Sequence, residues 1–179
     1  MCRWIRFVEG GAADSSGAIV KGDALVAVDG RDLTQADFDS AMDALITAPG
    51  DRPLDIVLSD GLGRMDIAKN LVKSLSSAEA VFADATVRAA VRQVRKIGTQ
   101  LGDLLSVEIV IGAGLQDDTD TCKVRFFAIF STDSVSTYSC SVSATGRKGP
   151  DGAVEITQLS CAKDEGWGQT YDLIRDAEA

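Results

Sequence analysis

The segment Lys21–Gly30, KGDALVAVDG, constrains the fold more than any other stretch of this chain. Leu25 and its apolar neighbours suit a buried strand, and Asp29-Gly30 is a pair whose positive φ angles belong to a tight reversal. Upstream, Arg3–Val8 (RWIRFV) reads as a strand and Gly10–Gly17 (GGAADSSG) as a small-residue turn with room for one helical turn. Downstream, Thr34 and Asp37 have the spacing of an N-cap and an acidic third residue, and Phe38, Ala41, Met42 and Leu45 recur at helical spacing. Pro49-Gly50 stops that helix, and Pro53–Ser59 (PLDIVLS) alternates as an antiparallel strand does. The resulting order is strand, turn, strand, helix, strand.

That order, with its Gly-Ala-Ala turn, Lys-Gly-Asp before a strand, Asp-Gly turn, capped helix and Pro-Gly stop, resembles a PDZ domain over residues 3–59. The resemblance implies recognition of a peptide as an added strand, held between the family's second strand and this helix. Backbone N–H groups of a glycine-containing loop capture its terminal carboxylate. The chain begins where the family's third strand begins, so the loop and one wall of the groove are missing. The expectation is a piece of a longer chain or a fold that has lost its peptide site. With the groove completed, Phe38 takes the first groove position, where many family members carry histidine, and Met42 follows one turn on, which implies an apolar ligand side chain. On the residues alone, core packing of Phe38 and Met42 is an equal alternative.

Gly61–Gly63 reads as a joint, which divides the chain into domains at 1–61 and 62–179. Asp66–Leu75 is helical in pattern, with Ile67, Leu71, Val72 and Leu75 on one face. Ser76 and Glu79 stand at capping-box spacing, opening a second helix that runs to about Ile97 with Val87, Val91 and Val94 buried. From Leu105 the period changes to two, with strands expected at Ser106–Ile111, Lys123–Phe130, Ser136–Thr145, Ala153–Cys161 and Gln169–Ile174. Tyr138, Cys140, Val142 and Ala144 fall on one face, and Ser139, Ser141, Ser143 and Thr145 on the other. The fold class expected is α+β: a truncated PDZ-like domain, then a long helix packed on a four- to five-stranded antiparallel meander.

The Leu101-Gly102 pair between helix and strands is similar to one in organellar accessory domains of cytochrome oxidase assembly and presequence-translocase subunits. That resemblance, over residues 85–174, carries no specific motif. It implies a soluble accessory subunit or assembly factor on an organellar membrane complex, in a mitochondrion or in a plastid beside a photosystem.

Composition narrows the chemistry. The net charge of −9 repels a phosphate backbone, and no basic stripe interleaved with aromatics offsets it, so nucleic acid is not an expected partner. Residues 62–105, with seven basic and four acidic side chains, are the only basic stretch; Arg88, Arg92, Arg95 and Lys96 gather on the helix surface, either for an acidic partner or membrane headgroups, or more often for the protein's own carboxylates or water. The absence of histidine removes the commonest general base and most hydrolytic triads. No catalytic residue, cofactor or metal ligand is assigned, and no enzyme is expected.

Cys2, Cys122, Cys140 and Cys161 are too widely spaced for a metal knuckle; Cys140 and Cys161 face each other if Gly149–Gly152 (GPDG) closes a hairpin, but buried free thiols are the favoured reading. Gly112 and Gly114 follow a strand as a phosphate loop does, but the LQDDTD that follows is acidic; Asp117, Asp118 and Asp120 read as a solvated hairpin tip rather than a calcium loop. Trp4 and Trp167 suit either core packing or an exposed anchor. No run approaches the ~20 apolar residues that span a bilayer, and the opening MCRWIRFVEG lacks the features of a secretory signal. The functional expectation is a protein-binding scaffold component, with Phe38, Met42, Trp4, Arg88 and Arg92 as candidate contacts to protein partners.

Overall fold

The computed structural model of the protein describes residues 2–3, 15–16, 18–48, 53–63, 65–97, 102–115, 120–132, 137–163 and 170–174. The chain divides into two compact units, Met1–Gly63 and Arg64–Ala179. Each combines helix with antiparallel sheet, which makes the chain α+β.

The first unit contains β1 (Cys2–Arg3), β2 (Ala24–Val28), β3 (Arg31–Asp32), α1 (Phe38–Ile46) and β4 (Ile56–Ser59). β2 is its centre. β4 follows β2 from Ala24↔Ser59 to Val28↔Ile56, while β1 pairs at Arg3↔Ala24 and Cys2↔Leu25 and β3 at Ala27↔Asp32 and Val28↔Arg31. Of the strand expected at Arg3–Val8, only its first residue is described. Trp4 and most of the Gly10–Gly17 turn lie outside the described residues.

Local chemistry explains the Lys-Gly-Asp and Asp-Gly signals. Asp23 is buried, and its Oδ2 accepts the Val20 amide at 2.9 Å while its own amide donates to the Val20 carbonyl at 3.0 Å. The turn into β2 therefore leaves neither group unpaired. Asp29 and Gly30 have φ of 49° and 79°, the double left-handed geometry of a two-residue hairpin, which glycine adopts without steric cost. Asp29 also fixes the approach to β4: its amide donates to the Asp55 carbonyl at 2.8 Å, and its Oδ1 accepts the Asp55 amide at 3.1 Å.

The helix cap differs from expectation. Thr34 is not the N-cap: its amide donates to Asp32 Oδ1 at 2.8 Å in a local turn, and the helix starts after Asp37, whose Oδ1 accepts the Ser40 amide at 2.8 Å. Leu33, buried and tied to Val26 by a 2.7 Å backbone bond, is the reason. The chain must leave the sheet edge before it can coil, and the carboxylate at position 37 is the acceptor available where coiling begins. Ala41 and Ala44 pack with Leu25, Val28 and Leu33, and Leu45, Leu54, Ile56 and Leu58 complete this small core.

The second unit contains α2 (Lys69–Val72), α3 (Ser77–Ile97), β5 (Asp103–Leu115), β6 (Thr121–Ser131), β7 (Thr137–Lys148), β8 (Val154–Lys163) and β9 (Thr170–Ile174). The strands form one meander in sequence order, and α3 crosses β5, β6, β7 and β8. Val87, Val91 and Val94 on the helix, with Phe126, Phe130, Val142 and Leu159 on the sheet, are all essentially sealed from solvent. Along β6 these alternate with exposed Lys123 and Arg125, as one covered and one open face require. Thr145 departs from the expected pattern: it is buried, its Oγ1 donating to Gln158 Oε1 at 3.2 Å.

At Gly146 the helix side chain Thr86 sits tightly against the sheet. A Cβ there would lie 2.7 Å from both Thr86 Cγ2 and Val154 Cγ1, so only glycine leaves room for α3 at this height.

Two expectations for this unit are corrected. Helix over Asp66–Leu75 shrinks to Lys69–Val72, because residues 66–68 instead line the edge of β5: the Val110 amide donates to the Asp66 carbonyl at 2.8 Å and the Ala68 amide to the Val110 carbonyl at 3.0 Å. The strand expected at Ser106–Ile111 spans Asp103–Leu115, and Gly112 and Gly114 lie within it, paired with Arg125 and Lys123, not in a loop. Three register shifts interrupt its ladder with β6. Gly149–Gly152 does close a hairpin, with Gly149 donating to Ala153 at 2.7 Å. Across it Val142 opposes Cys161 and Cys140 opposes Lys163, so Cys140 and Cys161 are diagonal neighbours; both, like Cys122, are buried free thiols. Among the described residues, no helix is long and apolar enough to cross a membrane.

Candidate functional site

The feature of the first unit that packing does not account for is one side of α1. Its buried side is made by Ala41 and Ala44. Next to it around the helix run Phe38, Met42 and Ile46, each four residues from the last, with exposures of 67 %, 38 % and 72 %. Spacing of four places them on one stripe. Two of the three are two-thirds exposed or more, so core packing is not the main role of Phe38 or Ile46. Ile46 was not singled out from the sequence, although its spacing from Met42 is the same signal that selected Phe38.

Carboxyl groups border the stripe. Asp39 is three residues before Met42 and Asp43 three before Ile46, so each is the surface neighbour of an exposed apolar side chain, and both are themselves exposed. Asp37 caps the helix beside Phe38. Hydrogen bonds from Ser40 hold its carboxyl below the usual carboxylate range, and those from Thr34 do the same for Asp32. The helix sequence FDSAMDALI contains no basic residue. Among the described residues β4 pairs only with β2, and Val57 on it is exposed.

The other candidates lie elsewhere. Arg88 and Arg92 belong to α3 in the second unit. Arg88 Nε bonds Asp84 Oδ2 at 2.7 Å one turn earlier, so one of the protein's own carboxylates meets it. Such a half-exposed pair within a helix contributes only ~0.3–0.5 kcal/mol. Arg92 is exposed on the same helix. Trp4, Trp167, Asp117 and Asp118 lie outside the described residues, and Asp120 is exposed. The structure thus brings together Phe38 and Met42, adds Ile46, and leaves Arg88 and Arg92 on a separate unit.

Among the described residues, no three cysteine or carboxylate side chains gather as a metal site. Comparison with family models, with curated proteins and with solved structures gave no match.

Proposed function

We propose that the protein is a non-enzymatic interaction component that docks onto a larger assembly through a PDZ-like first unit. The observation that carries this reading is the exposed stripe Phe38, Met42, Ile46 on a helix whose other side packs Ala41 and Ala44 into the core. The order of hairpin, capped helix and returning strand, with β2 central, supports the PDZ-like part. In that family this helix forms one wall of the peptide groove, and its exposed residues meet the ligand's side chains.

Magnitudes limit what the stripe does alone. Burying one such side chain fully is worth ~1.5–3 kcal/mol, so covering the exposed parts of three returns roughly 3–5 kcal/mol. Millimolar binding already requires about 4 kcal/mol, before the cost of ordering the partner. A second contribution is needed, and addition of a strand to the unit's sheet is one source.

The test is site-specific photocrosslinking in the native source, with the crosslinking residue at position 38, 42 or 46, or at Val72 as a control. A protein captured from the three helix positions and not from position 72, and lost when the remaining stripe residues are changed to serine, supports the reading. Capture that is equal at all positions, or absent from the stripe, overturns it.

A further inference from the structure

We infer that the α1 stripe takes a cationic segment: a partner peptide whose apolar anchors cover Phe38, Met42 and Ile46 and whose flanking lysine or arginine side chains meet Asp37, Asp39 and Asp43. The inference rests on the docking role proposed above and specifies the chemistry of the partner.

Three observations on the same helix converge. The stripe is apolar and open to solvent. Asp39 and Asp43 border it at a spacing of three from Met42 and Ile46, on the side away from the packed alanines, and Asp37 stands at its N-terminal end. Every charge on the helix and at its cap is negative, and residues 1–61 as a whole carry five basic against eleven acidic side chains. A ligand seated on the stripe therefore has carboxylates along one side and at one end. Like charges brought against them are repelled, and opposite charges gain both affinity and rate of encounter.

The same charges argue against other occupants. A second copy would bring the same carboxylates against these, and an anionic membrane surface or nucleic acid would be repelled in the same way. An uncharged apolar peptide is tolerated but gains nothing from the rim. A basic one obtains from it the second contribution that the stripe needs.

The experiment measures binding to the full chain of three sets of short synthetic peptides with identical leucine, valine or phenylalanine anchors. Their flanks are lysine and arginine, glutamine and serine, or aspartate and glutamate. Fluorescence anisotropy is read at low and high salt, with thermal melts confirming that every variant is folded. The lysine and arginine set is expected to bind about tenfold tighter than the neutral set at low salt, as several exposed ion pairs together supply. The advantage shrinks as salt rises. In the double variant Asp39→Asn/Asp43→Asn it falls severalfold while neutral binding is retained, and Phe38→Ser weakens every set.

Equal affinity of cationic and neutral sets, with both lost in Phe38→Ser, overturns the cationic partner but leaves the docking role standing. No binding by any set, or binding indifferent to Phe38→Ser, overturns both. Self-association that Phe38→Ser abolishes assigns the stripe to a second copy and overturns the inference.

Discussion

Ser76 and Glu79 cap each other: the Ser76 amide donates to Glu79 Oε2 at 2.7 Å, and the Glu79 amide donates to Ser76 Oγ at 3.3 Å. Two backbone donors at the start of α3 are thereby satisfied where the helix has no earlier turn to supply acceptors. Because α3 covers four strands, loosening its first turn acts on the core of the second unit. Ser76→Ala is expected to cost about 1 kcal/mol in urea unfolding.

The same pair gives a pH signature. Hydrogen bonds from Ser76 lower the Glu79 pKa from 4.5, so the folded state holds this carboxylate charged more readily than the unfolded chain does. Its contribution is fully present above the unfolded value and is lost as pH falls through the folded one. The stability gap between wild type and Glu79→Gln should be constant near neutrality and close on acidification below 4.5. A gap unchanged down to acid unfolding would remove the reciprocal cap as its cause.

Gly146→Ala should be among the most damaging single-methyl additions in the chain. The new Cβ meets Thr86 Cγ2 and Val154 Cγ1, tips of short branched side chains that cannot swing away within a packed layer. A loss of ~1–3 kcal/mol is expected, as overpacking usually gives. Thr86→Ser removes one of the clashing atoms, so the double variant should recover part of the loss in a double-mutant cycle. Strict additivity would show that the helix is not what Gly146 accommodates.

Burial pushes the Cys161 thiol up to about 12, with Cys140 nearby as the lesser cause. A thiol raised in the folded state stabilises below its unfolded pKa and loses that contribution as pH rises between 9.0 and about 12. Native protein at mildly alkaline pH should resist thiol reagents at Cys161, reacting only at the rate of global opening. Rapid labelling of intact protein would contradict the seal that α3 makes over this face.

Asp23→Ala is expected to destabilise the first unit by about 1–3 kcal/mol, because it orphans the buried Val20 amide. Asp23→Asn, which keeps an oxygen at the same reach, should cost less. The opposite is expected of Phe38→Ser: a residue 67 % exposed contributes little to folding, so its melt should match wild type within about 0.5 kcal/mol.

Much of this was legible where one residue type answers one backbone demand. Asp29-Gly30 announces its turn, Ser76 with Glu79 announces the start of α3, and the alternation from Lys123 to Phe130 places β6 within two residues. What escaped depends on partners distant in sequence. Asp66–Leu75 carries a helical apolar pattern, yet its first residues satisfy the edge of β5, and backbone pairing with Val110 outweighs local periodicity. Gly112 and Gly114 suggest a loop until β6 is known to pair with them. The acceptor at α1 moved from Thr34 to Asp37 because Leu33 had first to be buried. At the candidate site, spacing showed that Phe38 and Met42 share a face, but not whether that face looks inward. Only the placement of Ala41 and Ala44 against β2 decides this.

The dependence of α3 on its sheet has a consequence for synthesis on the ribosome. The helix is complete at Ile97, whereas β8, the last of the four strands it covers, ends at Lys163. At 5–20 residues per second the intervening chain takes roughly 3–13 s to emerge. Over that interval β5, β6 and β7 arrive before β8, so the surface that Val87, Val91 and Val94 cover stays incomplete and the nascent chain presents a sticky helix before its sheet is whole. Ribosome-bound chains stopped after Ile97 should recruit apolar-binding chaperones, and chains long enough to extrude β8 should release them.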